Sequence, residues 1–288
     1  MGKDRSNQSY LSQGRASVNT SSVTGITKLY ALIGHPIEQV RTPTVLNSYL
    51  GAHGINAVMV AFDLLPSAID SFFDVLRGLE NCLGCCVTIP HKKIAFELVD
   101  KTTDRSNRIG AVNIIRRENN GTLVGDMTDG AGFIAALKTH GTSVKGKHVV
   151  LVGGGGAGGA IADSVALEGA NRLSIIEINK PRFQDLVSNL RIHYPDTVLD
   201  DNPGDPANIE ILVNASPLGM DQNDPLPFSL EGIPSETIVA DVVTKPNVTK
   251  FLELANEAGN IIQKGHEMAE AQMPMFIDFL GMPDTNNS

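Results

Sequence analysis

Residues 28–100 show a repeating pattern in which short apolar runs alternate with segments whose apolar residues recur at helical spacing. The predicted strands are 28–36, 57–64 and 84–89, and the predicted helices are 42–54, 67–79 and 90–100. We expect Pro90 to start the third helix, since proline is favoured at a first helical position. A strand–helix alternation of this kind predicts a mostly parallel sheet covered by helices.

Two later parts of the chain depart from that simple pattern. Residues 111–129 form two extended runs on either side of Asn119 to Gly121, which predicts a β-hairpin with a tight turn. Residues 266–281 are helical in pattern but contain Pro274, which predicts a kink or two short helices.

A second alternation begins at Lys145. Residues 147–180 predict a strand, a glycine-rich turn, a helix and another strand, and later apolar strands follow at 210–220, 237–243 and 260–265, with a helix at 248–259. The chain therefore belongs to the α/β class and has two domains, in agreement with its 288 residues at roughly 150 residues per domain.

Composition excludes several classes of function. The net charge of −9 and the lack of basic runs argue against nucleic acid or a membrane surface as partner. No apolar run reaches about 18 residues, so no membrane span is predicted. Residues 1–25 are rich in Ser, Asn, Gln and Gly and predict a disordered lead-in rather than a signal peptide. We expect a cytoplasmic protein.

The three cysteines, Cys82, Cys85 and Cys86, lie within five positions. This crowded odd number is not a disulfide framework, and no second Cys or His pair follows at zinc-site spacing. We expect reduced cysteines that pack as small apolar residues, and no metal.

Gly153, Gly155 and Gly158 fit the pattern G-x-G-x-x-G, with an apolar strand before them and a helix after them. Glycines permit a tight turn and let backbone N–H groups approach a pyrophosphate at a helix N-terminus. Glu177 ends the next strand, where a carboxylate accepts hydrogen bonds from both ribose hydroxyls of NAD and repels the 2′-phosphate of NADP. The motif predicts a Rossmann domain that prefers NAD to NADP.

Several polar residues occupy positions where the pattern favours other residue types. Lys92 lies in the first turn of a predicted helix, where a cation opposes the helix dipole, and Gln272 falls on an apolar stripe of the last helical segment. Asn113 interrupts an apolar run, and Asp129 follows the hairpin at the boundary between the two halves. Such departures from the local pattern are commonest at functional sites. These residues are therefore candidates for a ligand-binding site in a cleft between the domains.

The chain resembles the shikimate dehydrogenases and their quinate-using relatives from about Leu29 to Gly281. The matching segments, in the family's order, are IGHPIEQVRTP, GCCVTIPHK, GAVNII, GDMTDGAGF, VGGGGAGGA, NASPLGM, DVVTKP and GHEMAEAQ. The resemblance implies an NAD(P)-dependent oxidoreductase that interconverts shikimate and 3-dehydroshikimate by hydride transfer. It implies a substrate domain of residues 26–130 plus 266–288 and a Rossmann domain of residues 131–265.

By the same resemblance, Lys92 and Asp129 match the catalytic lysine and its carboxylate partner. The matched substrate-binding positions are Thr42, Thr88, Asn113, Thr244 and Gln272. The matched cofactor-binding positions are Gly153, Gly155, Gly156, Ala157, Gly158, Glu177, Asn179, Ser216, Val242 and Gly265.

The departures from the family affect the substrate. The serines that hold the substrate carboxylate in relatives are Val40 and Thr42 here, and a tyrosine that assists them is Thr244. Arg41 or Thr42 would have to replace the lost donors, and the alternatives to shikimate are quinate, aminoshikimate or another cyclic hydroxy acid. The arginine that binds the NADP phosphate in relatives is absent from the segment 177–179. A dinucleotide-binding regulatory protein without turnover is the alternative class, and the protein is expected to be a monomer or homodimer.

Overall fold

The structure is a computed structural model that describes residues 23–282. Its first sheet is built from strands β1 Lys28–Gly34, β2 Ala57–Asp63, β3 Cys82–Val87, β4 Lys101–Thr102, β5 Ile114–Arg117 and β6 Leu123–Asp126. The strand order is β2-β1-β3-β5-β6-β4. Three neighbouring pairs are parallel, and β5 runs antiparallel to both β3 and β6. The predicted hairpin is thus confirmed as the pair β5–β6.

Helices cover both faces of this sheet. They are α1 Thr42–Ala52, α2 Ile69–Gly78, α3 Lys92–Leu98 and α4 Asp104–Ile109. One apolar cluster includes Leu32, Leu46 and Met59 on the α1 side, and another includes Ile33, Phe73 and Leu76 on the α2 side. Burying both faces explains why the strands are largely continuous apolar runs.

The second sheet is entirely parallel. Its strands are β7 His148–Val152, β8 Arg172–Ile176, β9 Val198–Asp200, β10 Ile211–Asn214, β11 Ile238–Asp241 and β12 Ile261–Gln263, in the order β12-β11-β10-β7-β8-β9. This is the doubly wound order: β8 and β9 are added on one side of β7, and β10, β11 and β12 on the other, so the switch point lies between β7 and β10. Helices α6 Gly156–Leu167, α7 Lys180–His193 and α8 Lys250–Glu257 pack on it. The predicted two-domain α/β fold with a Rossmann-type half is confirmed.

Two helical segments join the halves. Helix α5 Asp129–Thr139 leaves the first sheet and packs on α6, and the last segment forms α9 Gly265–Ala271 and α10 Met273–Phe279. The interruption predicted at Pro274 is confirmed as two short helices that meet at Gln272. The close approach of α5 to α6 needs Gly130, because a methyl group there would lie 2.0 Å from the Ala160 carbonyl oxygen.

One predicted boundary is wrong. Helix α3 begins at Lys92 rather than at Pro90, and His91 is its N-cap. The Thr88 carbonyl accepts a hydrogen bond from the His91 N–H, which closes a turn before the helix, and the His91 ring is held by the Leu64 carbonyl. Lys92 therefore occupies the first helical position instead of the third.

Two further expectations from the sequence concern the lead-in and a membrane span. Residues 1–22 of the predicted lead-in lie outside the described residues. Within residues 23–282, no helix has both the length and the apolar character that crossing a membrane requires.

Candidate functional site

Lys92 and Asp129 form an ion pair between the start of α3 and the start of α5. The Lys92 Nζ donates a hydrogen bond to Asp129 Oδ2, and the side chains are only 13% and 6% exposed. Lys92 is held by its own backbone as well, since its carbonyl accepts from the Val112 N–H at 3.0 Å. The ammonium group is therefore fixed at one place, with a carboxylate to stabilise its charge.

Two buried amides surround the other oxygen of Asp129. The Asn113 Nδ2 donates to Asp129 Oδ1 at 2.7 Å, and the Gln272 Nε2 donates to the same oxygen at 3.3 Å. Asn113 lies directly before β5, whereas Gln272 lies between α9 and α10, so the tertiary fold brings them together. This arrangement leaves a carboxylate with three different donors, which is how a buried charge is kept stable.

Thr128 belongs to the same network, although the sequence did not point to it. Its N–H donates to Asn113 Oδ1 at 3.0 Å, its hydroxyl accepts from Asn113 Nδ2 at 3.0 Å, and the residue is completely buried. Its position directly before Asp129 was the available signal, but a buried threonine next to a candidate acid is also common in ordinary cores. The cluster of Lys92, Asn113, Thr128, Asp129 and Gln272 is hereafter called the polar cluster.

The other predicted substrate residues lie in or against residues 34–42, which run from the end of β1 to the start of α1, and outside the polar cluster. The methyl carbon of Thr88 lies against Gly34, and Thr42 is the first residue of α1. The Thr244 hydroxyl donates to the Gln39 carbonyl at 3.4 Å, which links the second half of the chain to the loop after β1. Within the described residues, no hydrogen bond joins the side chain of any of these three threonines to the polar cluster.

The cysteines and His91 are packed into the protein. Cys82, Cys85 and Cys86 are buried, unpaired members of the two apolar clusters of the first sheet, as expected. Burial raises the pKa of the Cys86 thiol to about 12, with a smaller opposing effect of Lys92, so the thiol stays protonated. No group of three or more potential metal ligands occurs among residues 23–282.

The glycine loop has the shape of a dinucleotide cradle. Gly153 has a φ of +97°, and a methyl group on Gly158 would lie 2.0 Å from the Gly153 carbonyl oxygen. Gly155 is the N-cap of α6 and has open space beside it. Gly156 lies beside the Lys92 side chain: a methyl group added to Gly156 would be 3.3 Å from Lys92 Cδ. Ala157 follows in the first turn of α6. The open N–H groups and the helix N-terminus fit the pyrophosphate of a dinucleotide.

Glu177 follows β8 and turns back to the loop. Its carboxylate accepts from the N–H groups of Gly154 and Asn179, both at 2.8 Å, and its side chain is only 3% exposed. Burial opposes its ionisation, but these hydrogen bonds outweigh burial and lower the pKa of Glu177. The sequence did not predict that Arg182 lies beside this carboxylate, with Nη1 at 3.3 Å and 42% of its side chain exposed.

The remaining cofactor candidates follow the ends of three strands. Ser216 comes after β10 and donates to Asn214 Oδ1 at 2.6 Å, while Val242 comes directly after β11. Gly265 begins α9, and a methyl group there would lie 2.6 Å from the Val242 carbonyl oxygen. The three residues thus lie at the carboxyl edge of the second sheet, where a Rossmann domain binds its ligand.

Comparisons with known proteins place the chain in a family. Residues 32–115 match the model of the shikimate dehydrogenase substrate-binding domain. Shikimate dehydrogenase (NADP(+)) of Symbiobacterium thermophilum is 32% identical over 257 residues, which cover 86% of this chain and 87% of the relative. The chain belongs to the shikimate dehydrogenase family. It is therefore an NAD(P)-dependent oxidoreductase of the alcohol dehydrogenase kind.

Solved structures of this family have the same fold. Shikimate 5-dehydrogenase from Listeria monocytogenes, in complex with shikimate and NAD, is 29% identical with a TM-score of 0.80, and the match covers 92% of this chain and 96% of that one. Quinate dehydrogenase from Corynebacterium glutamicum, in complex with NAD, is 26% identical with a TM-score of 0.79, covering 91% and 96%. The solved structures similar to this chain thus include enzymes named for two different ring acids, shikimate and quinate.

Proposed function

We propose that this chain interconverts shikimate and 3-dehydroshikimate, with Lys92 and Asp129 as the acid-base pair. The observation that carries the proposal is the position of Lys92, whose ammonium group pairs with Asp129 while its aliphatic stem lies against Gly156 of the glycine loop. One side chain is therefore next to both the polar cluster and the dinucleotide cradle. Alcohol oxidation needs this proximity, because the proton and the hydride leave neighbouring atoms of the substrate.

The chain's own chemical task is to move the hydroxyl proton. A bound nicotinamide dinucleotide would supply the hydride acceptor or donor. During oxidation the uncharged Lys92 amine accepts the proton of the substrate hydroxyl, and during reduction the ammonium group returns it to the oxygen. Asp129 stabilises the charged form of Lys92, and Asn113 and Gln272 hold the Asp129 carboxylate in place.

The polar cluster suits a polyhydroxylated ring. Asn113 and Gln272 each offer a donor and an acceptor, which is what a hydroxyl group needs from its site. The carboxylate of the ring acid requires other donors, and we assign Thr42 and Arg41 at the start of α1 to this role. Quinate and aminoshikimate present a similar ring, and the similarity to quinate dehydrogenase supports quinate as the alternative substrate.

We propose NAD as the preferred dinucleotide. Glu177 has a lowered pKa and is ionised at neutral pH, so it would repel a 2′-phosphate. Arg182 compensates part of this charge, and the relative from Symbiobacterium thermophilum is named for NADP(+). We expect kcat/KM to favour NAD about tenfold, which corresponds to about 1.4 kcal/mol. Glu177→Gln should reduce this preference, and a wild-type preference for NADP would contradict the role of Glu177.

Initial rates with NAD and NADP against shikimate, quinate and aminoshikimate test the function. Lys92→Ala should lower kcat by about 100- to 10,000-fold, because it removes the general acid-base group, while NADH binding followed by fluorescence stays unchanged. Lys93→Ala is the matched control, since Lys93 is the exposed neighbour in the same helix.

Two results would contradict the proposal in different ways. If Lys92→Ala keeps more than a tenth of the wild-type kcat, Lys92 is not the acid-base group. If the wild-type protein binds NADH and turns over none of the three acids, the chain is a dinucleotide-binding regulatory protein.

A further inference from the structure

The short helix α4 is attached to the first sheet by charged hydrogen bonds. The Arg105 Nε donates to Asp126 Oδ1 at 2.6 Å, its Nη2 donates to Asp126 Oδ2, and the Thr103 hydroxyl donates to the same carboxylate. Asp126 is buried at the end of β6, only three residues before Asp129. Helix α4 is thus fixed to the strand that leads into the polar cluster.

The other end of α4 is attached to the dinucleotide half. The Arg108 Nε and Nη2 donate to the two oxygens of Asp163 on α6 at 2.8 and 3.0 Å. The Tyr194 hydroxyl donates to Asp163 Oδ1 at 2.8 Å, and the Asn189 Nδ2 donates to the Arg108 carbonyl at 2.6 Å. The hydrogen bonds to Asp163 raise the pKa of Arg108, so the guanidinium group stays charged. A bidentate Arg–carboxylate pair fixes direction as well as distance.

The location of Asp163 on α6 connects this ion pair to the catalytic cleft. Gly156 and Asp163 are seven residues apart, close to two helical turns, so both lie on the face of α6 that meets the first half of the chain. Gly156 contacts the Lys92 side chain and Asp163 binds Arg108, at places separated by roughly 10 Å along the helix. Between them, Ala160 packs in a small cluster with Ala111 and Met127.

We propose that Arg108 is a positioning residue that holds α6, and with it the glycine loop, in register with Lys92 and Asp129. This inference rests on the proposed function of Lys92 and adds a part of the molecule that touches neither substrate nor cofactor. Loss of the pair removes the charged attachment along this face of α6 and leaves the apolar contacts of Ala160 and the contact between Gly156 and Lys92. The N-terminus of α6 is then held less firmly, and a larger share of molecules has the glycine loop displaced from Lys92.

Kinetics of the folded enzyme separate positioning from simple stabilisation. In Arg108→Met, kcat per NADH-binding site should fall about tenfold, because the reacting groups are misaligned. The Kd for NADH should stay within twofold, because the loop and Glu177 belong to one half of the chain. Arg108→Lys, which makes one contact instead of two, should be intermediate, and Tyr194→Phe, which keeps the ion pair, should stay within twofold of wild type.

A distance measurement makes the test independent of turnover. Spin labels on Glu97→Cys in α3 and Ile178→Cys after β8 report the separation of the halves by pulsed electron resonance, and the native cysteines are buried from the label. The distance distribution should broaden in Arg108→Met and not in Tyr194→Phe. An unchanged distribution, or a wild-type kcat with only a lower Tm, would overturn the proposal. If the wild-type enzyme has no turnover but the distribution broadens, the proposed function fails and the positioning role of Arg108 stands.

Discussion

An alanine at position 132 would place a methyl group between α5 and the residue that joins α9 to α10. The Cβ atom would lie 2.3 Å from the Gln272 Cγ and 3.0 Å from the Met268 carbonyl oxygen, whereas ordinary contacts begin at 3.4 Å. The Gln272 side chain must therefore move by about 1.1 Å or more. A buried side chain between two packed helices has no free space for such a movement.

This movement should damage the site more than the fold. The bonds from Gln272 to Asp129 and from Asn113 to Gln272 are already 3.3 Å long, so a further ångström breaks both of them. We expect Gly132→Ala to lower kcat/KM for the ring acid on the order of 100-fold, the usual cost of a misplacement of about 1 Å. Overpacking should cost about 1–3 kcal/mol of stability, which lowers Tm by several degrees.

Steady-state kinetics and thermal unfolding measure the two effects separately. Gly51→Ala is the control for a glycine replaced within a helix, because a methyl group there meets nothing within 4 Å. The double variant Gly132→Ala with Gln272→Ala should have a higher Tm than Gly132→Ala, because the severest clash, that with Gln272 Cγ, is removed. The reasoning is refuted if Gly132→Ala keeps wild-type kcat/KM, or if removal of the Gln272 side chain does not raise the Tm of the alanine variant.

Two further predictions concern the dinucleotide half. Gly158→Ala should raise the Kd for NADH at least about tenfold in a fluorescence titration, because the added methyl group would lie 2.0 Å from the Gly153 carbonyl oxygen and would open the loop. The control Gly159→Ala, whose methyl group has no contact closer than 3.8 Å, should bind NADH normally. Burial raises the pKa of Asp241 to about 6 against 3.8 for a free side chain, so the stability that it contributes is present below about pH 4 and is lost as pH rises through 6. Asp241→Asn has no ionisable carboxyl group at this position, so the urea midpoint of the variant, relative to that of wild type, should rise between pH 4.5 and 7.5. A difference in midpoint that does not change with pH would contradict the raised pKa of Asp241.

Local patterns along the chain were sufficient for much of the fold. Strand and helix periods depend on which residues face a core, so the strands before and after the glycine loop and the hairpin β5–β6 follow from the sequence. The break near Pro274 follows from the chemistry of one residue. The start of α3 does not follow from the local pattern. The turn before it is accompanied by a hydrogen bond between the His91 ring and the carbonyl of Leu64, 27 positions earlier, and a contact over that separation has no local signal.

The candidate site divides in the same way. Lys92, Asn113, Asp129 and Gln272 were each recognisable because a polar residue stood in an unexpected position, and the resemblance to a family gave them roles. Their hydrogen bonds, by contrast, join residues as far apart as Asn113 and Gln272, and only the packing of α9 against α5 creates them.

The sequence by itself therefore determined the fold class, the glycine loop and the residue types of the site, since each depends on the local pattern of the chain. Only the tertiary structure decided that Thr128 joins the polar cluster, that Arg182 neutralises part of Glu177, and that Arg108 binds Asp163. These pairings depend on how the elements pack, and a polar or charged residue looks the same in sequence whether or not its partner is present. The physical reason is that side-chain contacts between distant elements leave no periodic trace in a single chain.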